Sequence, residues 1–183
     1  MGSSKVIDFI ALIVSFVAIY LAITQGIETR KSNTIAVRPH LDISYIGSKG
    51  IQAPHGFKVD NGGIGPAVID NMTVYVDGNE ANKQKDQMWS SALERIGWER
   101  KANEFSFVYL PKGSILKVER ELYLLKLLPS SGESKRELTF DEWKMLRRIE
   151  IKIEYSSFQD EKCSIHYIPL ESQPYKRVEC EKT

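Results

Sequence analysis

Ile149-Glu150-Ile151-Lys152-Ile153-Glu154-Tyr155 alternates without a break between a large apolar side chain and a charged one. A period of two is what a strand needs when one face lies on a core and the other in water, because successive side chains leave a sheet on opposite faces. A helix would spread the same isoleucines around its whole circumference. Antiparallel β structure with one wet face is therefore expected here. The polar residues 156–162 read as a turn, and 163–168 as the returning hairpin strand. Just upstream, Leu138-Thr139-Phe140-Asp141-Glu142-Trp143 reads as a helix start. Thr139 is the N-cap, Glu142 completes a capping box, and Leu138 and Trp143 are spaced for a hydrophobic staple.

Further towards the N-terminus the alternation recurs in short runs. Residues 41–45, 57–60 and 72–76 read as strands, the last closed by the turn pair Asp77-Gly78. Residues 87–96 change period and put Trp89, Ala92, Leu93 and Ile96 on one helical face, with Gly97 as a stop. Two further strands are expected at 105–110 and 114–118, around Pro111-Lys112-Gly113. Residues 121–128 are another apolar run, whose type stays open. The sum is about seven short strands and two short helices. That pattern fits a mainly-β antiparallel domain, an immunoglobulin-like sandwich, with a small open barrel as the alternative.

The chain has 183 residues, of which the first 30 or so lie apart from this domain. Residues 6–25, VIDFIALIVSFVAIYLAITQ, hold a single charge, Asp8. As a helix they would extend about 30 Å, the thickness of a bilayer's hydrocarbon core. The run is longer than a signal peptide's apolar part and is followed by a poor small-x-small site, so a retained transmembrane anchor is expected. Its small and polar residues Asp8, Ala11, Ser15, Ala18, Ala22 and Gln25 follow one another at steps of 3, 4, 3, 4 and 3. This is a heptad seam on an otherwise bulky helix. Small residues let helix backbones approach in lipid and polar ones hydrogen-bond across the contact, so the seam points to association with itself or another membrane subunit. Lys5 precedes the span and Arg30, Lys31 and Arg38 follow it, a bias that places the C-terminal domain in the cytoplasm. Domain bounds follow: a flank at 1–5, the span at 6–25, a polar connector at 26–38, the sandwich at 39–169 and a polar tail at 170–183.

Asn61-Gly62-Gly63-Ile64-Gly65-Pro66-Ala67 is the most distinctive soluble motif. A phosphate-cradling loop needs a following helix or a Lys-Ser/Thr pair, and here a strand follows. The glycines are expected to supply positive φ and let the sheets change direction. With the apolar span, Arg38-Pro39-His40-Leu41 and the Ile-x-Ile-x-Ile-x-Tyr strand, this motif resembles small bacterial single-pass membrane proteins of uncharacterised role. In those, an immunoglobulin-like sandwich carries an Asn-x-Gly-x-Gly-Pro-Ala turn. The resemblance implies a bacterial inner-membrane protein with no catalytic residues to transfer.

Chemistry is sparse in the rest of the chain. The net charge of +1 gives no bulk attraction for nucleic acid. His40, His55 and His166 lack partners at metal-ligand spacing, so neither metal nor other cofactor is expected. Cys163 and Cys180 read as free thiols, or as a single bridge if the domain faces an oxidising space. Trp89, Trp98 and Trp143 read as packing, and Lys144, Arg147 and Arg148 as a solvated helix end or a local basic patch. The expected function is a non-enzymatic membrane-anchored binding or scaffold module within an inner-membrane complex. The alternative is a membrane-perturbing effector, for example in phage defence.

Overall fold

The computed structural model describes residues 3–36, 38–47, 55–82, 84–98, 105–127, 139–169 and 174–181. The chain divides into two units, residues 1–37 and residues 38–183.

The first unit is one helix, α1 (Ser3–Ala36), of 34 residues. It does not stop at Gln25. The connector expected at 26–38 is helical to Ala36, so the helix continues some 11 residues past the span read from sequence. Gly26 and the polar residues after it read as punctuation. Extending an existing helix adds one hydrogen bond per residue fixed, and an exposed segment can be polar on every side. Helix ends at Ala36 because Pro39 follows closely: proline disfavours the helical region for the residue before it and lacks an N–H of its own.

The second unit is a mainly-β antiparallel sandwich. One sheet has four strands in the order β1 (Leu41–Ile46), β2 (His55–Asn61), β7 (Glu121–Leu127) and β5 (Phe105–Phe107). The other has the order β10 (Tyr175–Cys180), β9 (Lys162–Ile168), β8 (Ile149–Ser156), β3 (Ala67–Val76) and β4 (Asn79–Glu80), and β6 (Ile115–Leu116) pairs with β3. Among the described residues the strands form two separate sheets with no pairing between them, which distinguishes this from an open barrel. In β8 the isoleucines and Tyr155 are at most 1% exposed, while Glu150, Lys152 and Glu154 face outward. Phe57 of the first sheet meets Tyr167 of the second edge to face, with ring centroids 5.7 Å apart.

The helix α2 (Met88–Arg95) lays Trp89 against the same core, its ring stacked on Phe57 and its Nε1 donating to the Val108 carbonyl at 3.3 Å. Gly97 ends it with φ of +80°. Its N–H reaches the Glu94 carbonyl and that of Trp98 reaches Leu93, the paired bonds of a Schellman stop. The helix α3 (Phe140–Leu146) starts at the Thr139 N-cap, and both halves of the capping box are made with Glu142. The staple residue Leu138 lies outside the described residues; within them Phe140 stacks on Trp143.

One element settles what the sequence left open and another corrects the sequence reading. Residues 121–127 form a strand whose alternation is broken by a bulge: Phe57 pairs with Leu125 but Lys58 pairs with Tyr123, leaving Leu124 extra. Leu124 and Leu125 are both buried in consequence, which hides the period of two. Gly56 stands beside this bulge, where an added Cβ would lie 1.9 Å from the Leu125 carbonyl oxygen. In the tail placed at 170–183, residues 175–180 form β10, an edge strand on β9. Nor are the cysteines free thiols: Cys163 and Cys180 lie directly opposite one another in that pair and form a disulfide. The Glu181 N–H bonds the Lys162 carbonyl, so the cysteines occupy the neighbouring non-hydrogen-bonded pair, where side chains approach most closely. Every residue of β10 is exposed at the edge of its sheet. With no core face to fill, its sequence carries no apolar period. Lys176 reaches across to Asp42 of β1 at 2.6 Å.

Candidate functional site

Two places carry the residues singled out from sequence, one in each unit, and each is described by itself. The first is α1. Residues Asp8–Arg30, 23 in all, are long and apolar enough to cross a membrane, and none of that stretch is buried within the chain. Asp8, Ala11, Ser15, Ala18, Ala22 and Gln25 are all exposed along the helix. Ser15 donates its hydroxyl to the Ala11 carbonyl at 2.8 Å, and Thr24 does the same to Leu21 at 2.9 Å. Both hydroxyl donors are therefore satisfied by their own helix, which removes the cost of carrying them in an apolar medium. On a straight helix of 3.6 residues per turn, a stripe with period 3.5 drifts by about 20° per heptad. A partner helix must cross at a shallow left-handed angle to follow it.

The second place is the Asn-Gly-Gly turn. It leaves the end of β2 in one sheet and enters β3 in the other. Asn61 is completely buried and uses all of its side-chain capacity. Its Oδ1 accepts from the backbone N–H groups of His40 and Gly63, each at 3.1 Å. Its Nδ2 donates to the carbonyls of Gly65 at 2.9 Å and Leu116 at 3.1 Å. One side chain thus ties together the segment before β1, the turn itself and β6. Only an amide supplies two donors and two acceptors at this size.

The glycines work differently from the expectation. Among the described glycines, positive φ falls elsewhere, at Gly56, Gly78, Gly97 and Gly113. At Gly63 the constraint is space. An added Cβ would lie 2.4 Å from both the Arg38 carbonyl oxygen and the His40 nitrogen. The Gly62 N–H bonds the His40 carbonyl at 2.9 Å, and that of Gly65 bonds the Arg38 carbonyl at 3.4 Å. The turn and the first residues of the domain therefore lie backbone against backbone, and Pro66 leads directly into β3. A second staple adds to the clasp. Arg38 pairs with Glu161 at 2.5 Å, and the Glu161 carboxylate is almost fully buried. Glu161 closes the β8–β9 turn, in which Ser157 accepts the Glu161 N–H at 3.3 Å. A buried carboxylate is tolerated when such a cation answers it. Sequence reasoning passed over Arg38–Glu161, because nothing local links residues 123 apart.

Several other polar side chains are paired within the domain. Arg148 makes a two-pronged contact to Asp77, whose carboxyl is held below its ordinary range by that guanidinium. Arg147 lies 4.4 Å over the Trp143 ring. Two of the three cations read as a solvated helix end or a basic patch are thus engaged within the domain. His166 meets Glu150 at 3.1 Å on the outer sheet face, against the Tyr75 ring. Tyr45 and Tyr167 sit in the aromatic cluster around Phe57, and burial pushes both phenols up to about 12.

Comparison with protein-family models, with curated proteins and with solved structures found no match.

Proposed function

We propose that the chain is a membrane-anchored, non-catalytic binding or scaffold subunit. It would associate in the bilayer through the Asp8–Gln25 stripe, with a copy of itself or another membrane subunit, and display the sandwich at the surface. The observation that carries this reading is the apolar stretch Asp8–Arg30, none of which finds cover within the chain. Such a surface is stable in hydrocarbon and costly in water. The stripe of small and polar residues then supplies the one side of that helix suited to protein rather than lipid.

The disulfide bears on which side of the membrane the domain occupies. Flanking charge favours the cytoplasm by a small margin, Arg30, Lys31 and Arg38 against Lys5 and the amino terminus. A structural disulfide persists in oxidising compartments and is rare in the cytosol. Cys163 and Cys180 are paired across adjacent strands. We weigh the disulfide above a margin of one charge and place the sandwich on the extracytoplasmic face of a bacterial inner membrane.

The association is tested by Ser15→Leu combined with Ala18→Leu in a membrane dimerisation assay. Association should fall to background while insertion persists. Unchanged association would remove the stripe from the account. Ion leakage on overexpression, lost in the same double variant, would instead favour a membrane-perturbing effector.

A further inference from the structure

We infer that β10 pairs with β10 of a second copy of the chain, antiparallel and about a two-fold axis at Val178, so that the six-stranded sheets of two copies become continuous. The contact lies wholly within the second unit and does not depend on the reading of α1. β10 (Tyr175–Cys180) ends its sheet, and among the described residues no strand pairs with its outer edge. The strand at the sheet's other end, β4, has two residues against the six of β10. An open edge of that length is a template for a further strand.

The pairing with β9 decides which backbone groups are on offer. The Glu181 N–H bonds Lys162 directly opposite it, and in an antiparallel pair hydrogen-bonded and non-hydrogen-bonded residues alternate. Tyr175, Arg177 and Glu179 therefore spend their N–H and C=O groups on β9, while those of Lys176, Val178 and Cys180 point away from it. A further strand must bond to these three. A two-fold axis at Val178 meets that need: Val178 exchanges both bonds with its own copy, and Lys176 exchanges them with Cys180 of the second copy.

The side chains choose this register over its neighbours. Between the bonded pairs, Arg177 stands opposite Glu179 of the second copy, and Glu179 opposite Arg177 of that copy. These are the non-hydrogen-bonded positions, where Cα atoms approach to about 4.5 Å. Arg177 and Glu179 already pair along the strand, Nε to Oε1 at 2.6 Å, with side chains 63% and 57% exposed. In the dimer the four charges alternate around a square, each cation beside two anions. Sliding the axis by one residue sets Arg177 against Arg177 or Glu179 against Glu179, and an axis at Lys176 sets that lysine against itself. Like charges directly opposite are destabilising and opposite ones stabilising. Charges ordinarily guard an edge strand against pairing; here they reject the neighbouring registers and favour one. Val178, 43% exposed, meets its own copy on the other face. The Cys163–Cys180 disulfide and the Lys176–Asp42 ion pair hold β10 in place, so little ordering cost remains on pairing.

The test is a charge exchange in the full-length, oxidised chain in dodecylmaltoside micelles, with self-association measured by sedimentation equilibrium. Every variant also carries Ser15→Leu and Ala18→Leu, so that the helix stripe does not contribute. Arg177→Glu places two acids at the paired positions and Glu179→Arg places two bases. Each alone should weaken self-association by about tenfold or more. The two mixed should associate with each other, and both exchanges in one chain should restore self-association. Amide exchange gives a readout that an ion pair within one chain does not move. With rising chain concentration it should slow at Lys176, Val178 and Cys180 and stay constant at Arg177 and Glu179, whose N–H groups β9 already holds. A chain that stays monomeric, association indifferent to the charges at 177 and 179, or a mixture that fails to associate overturns the pairing. Slowing along residues 41–46 instead assigns the contact to the open edge of the other sheet and also overturns it. Association lost through Ser15→Leu and Ala18→Leu but indifferent to 177 and 179 leaves the stripe standing and removes this contact; the reverse removes the stripe and leaves this contact.

Discussion

Asn61 satisfies four backbone groups from three segments with one amide, and no other residue type of its size can do so. Asn61→Ala leaves two buried donors and two buried acceptors without their partner. The expected loss is about 3–5 kcal/mol of domain stability, measured by urea unfolding of the chain in nanodiscs. Asn61→Asp should be no better, since a carboxylate cannot donate to the Gly65 and Leu116 carbonyls. The phenols of Tyr45 and Tyr167 make a second prediction at this scale. Their folded values are raised to about 12 by burial. A group whose folded value lies above its unfolded value, near 10 for tyrosine, contributes fully below about pH 10 and loses that contribution as pH rises towards 12. Phenolate absorbance should therefore show a late-titrating class of tyrosines that ionises together with alkaline unfolding. Titration of every tyrosine near pH 10 with the fold intact would contradict the packing around Phe57. The importance of Asn61's motif was legible in the sequence. Its mechanism was not, because the close approach at Gly63 involves residues 23 and 25 positions earlier in the chain.

Elements were legible where local chemistry alone decided them. The alternation of β8, the capping box of α3 and the Gly97 stop of α2 each follow from a few neighbouring residues. Elements were missed where the deciding contact was remote or where no face was buried. The bulge at Leu124 depends on the register of β2, and β10 has no apolar period because none of its residues is buried. The helical extension to Ala36 was missed because Gly26 and the polar residues after it read as a linker. The disulfide makes β10 testable. Joining residues 17 apart should stabilise the β9–β10 pair against opening by about 3 kcal/mol, if the constraint on the opened segment dominates. Since β10 contributes no buried residue, reduction should act locally. Amide exchange at 175–180 should accelerate at least tenfold after reduction, while β8 stays protected. Equal acceleration in β8 would show that the edge strand and the core unfold as one unit.

At the scale of the whole molecule, the chain joins two surfaces with opposite needs. The sandwich buries its isoleucines and aromatics against themselves, with β8 as the inner strand from which the rest was readable. The helix exposes Phe9, Leu12, Phe16, Ile19 and Ile23, each more than half accessible, and the chain offers them no cover. Two-unit organisation was legible because these solutions leave different periods in the sequence. The stripe's partner was not, since association between copies or subunits leaves its cause outside the chain. The account stands or falls on whether the stretch from Asp8 to Arg30 lies in hydrocarbon. The direct measurement is extraction of membranes with alkaline carbonate, which strips peripheral proteins and leaves spanning ones in place. The account predicts that the full chain stays in the membrane pellet; its release into the supernatant would contradict it.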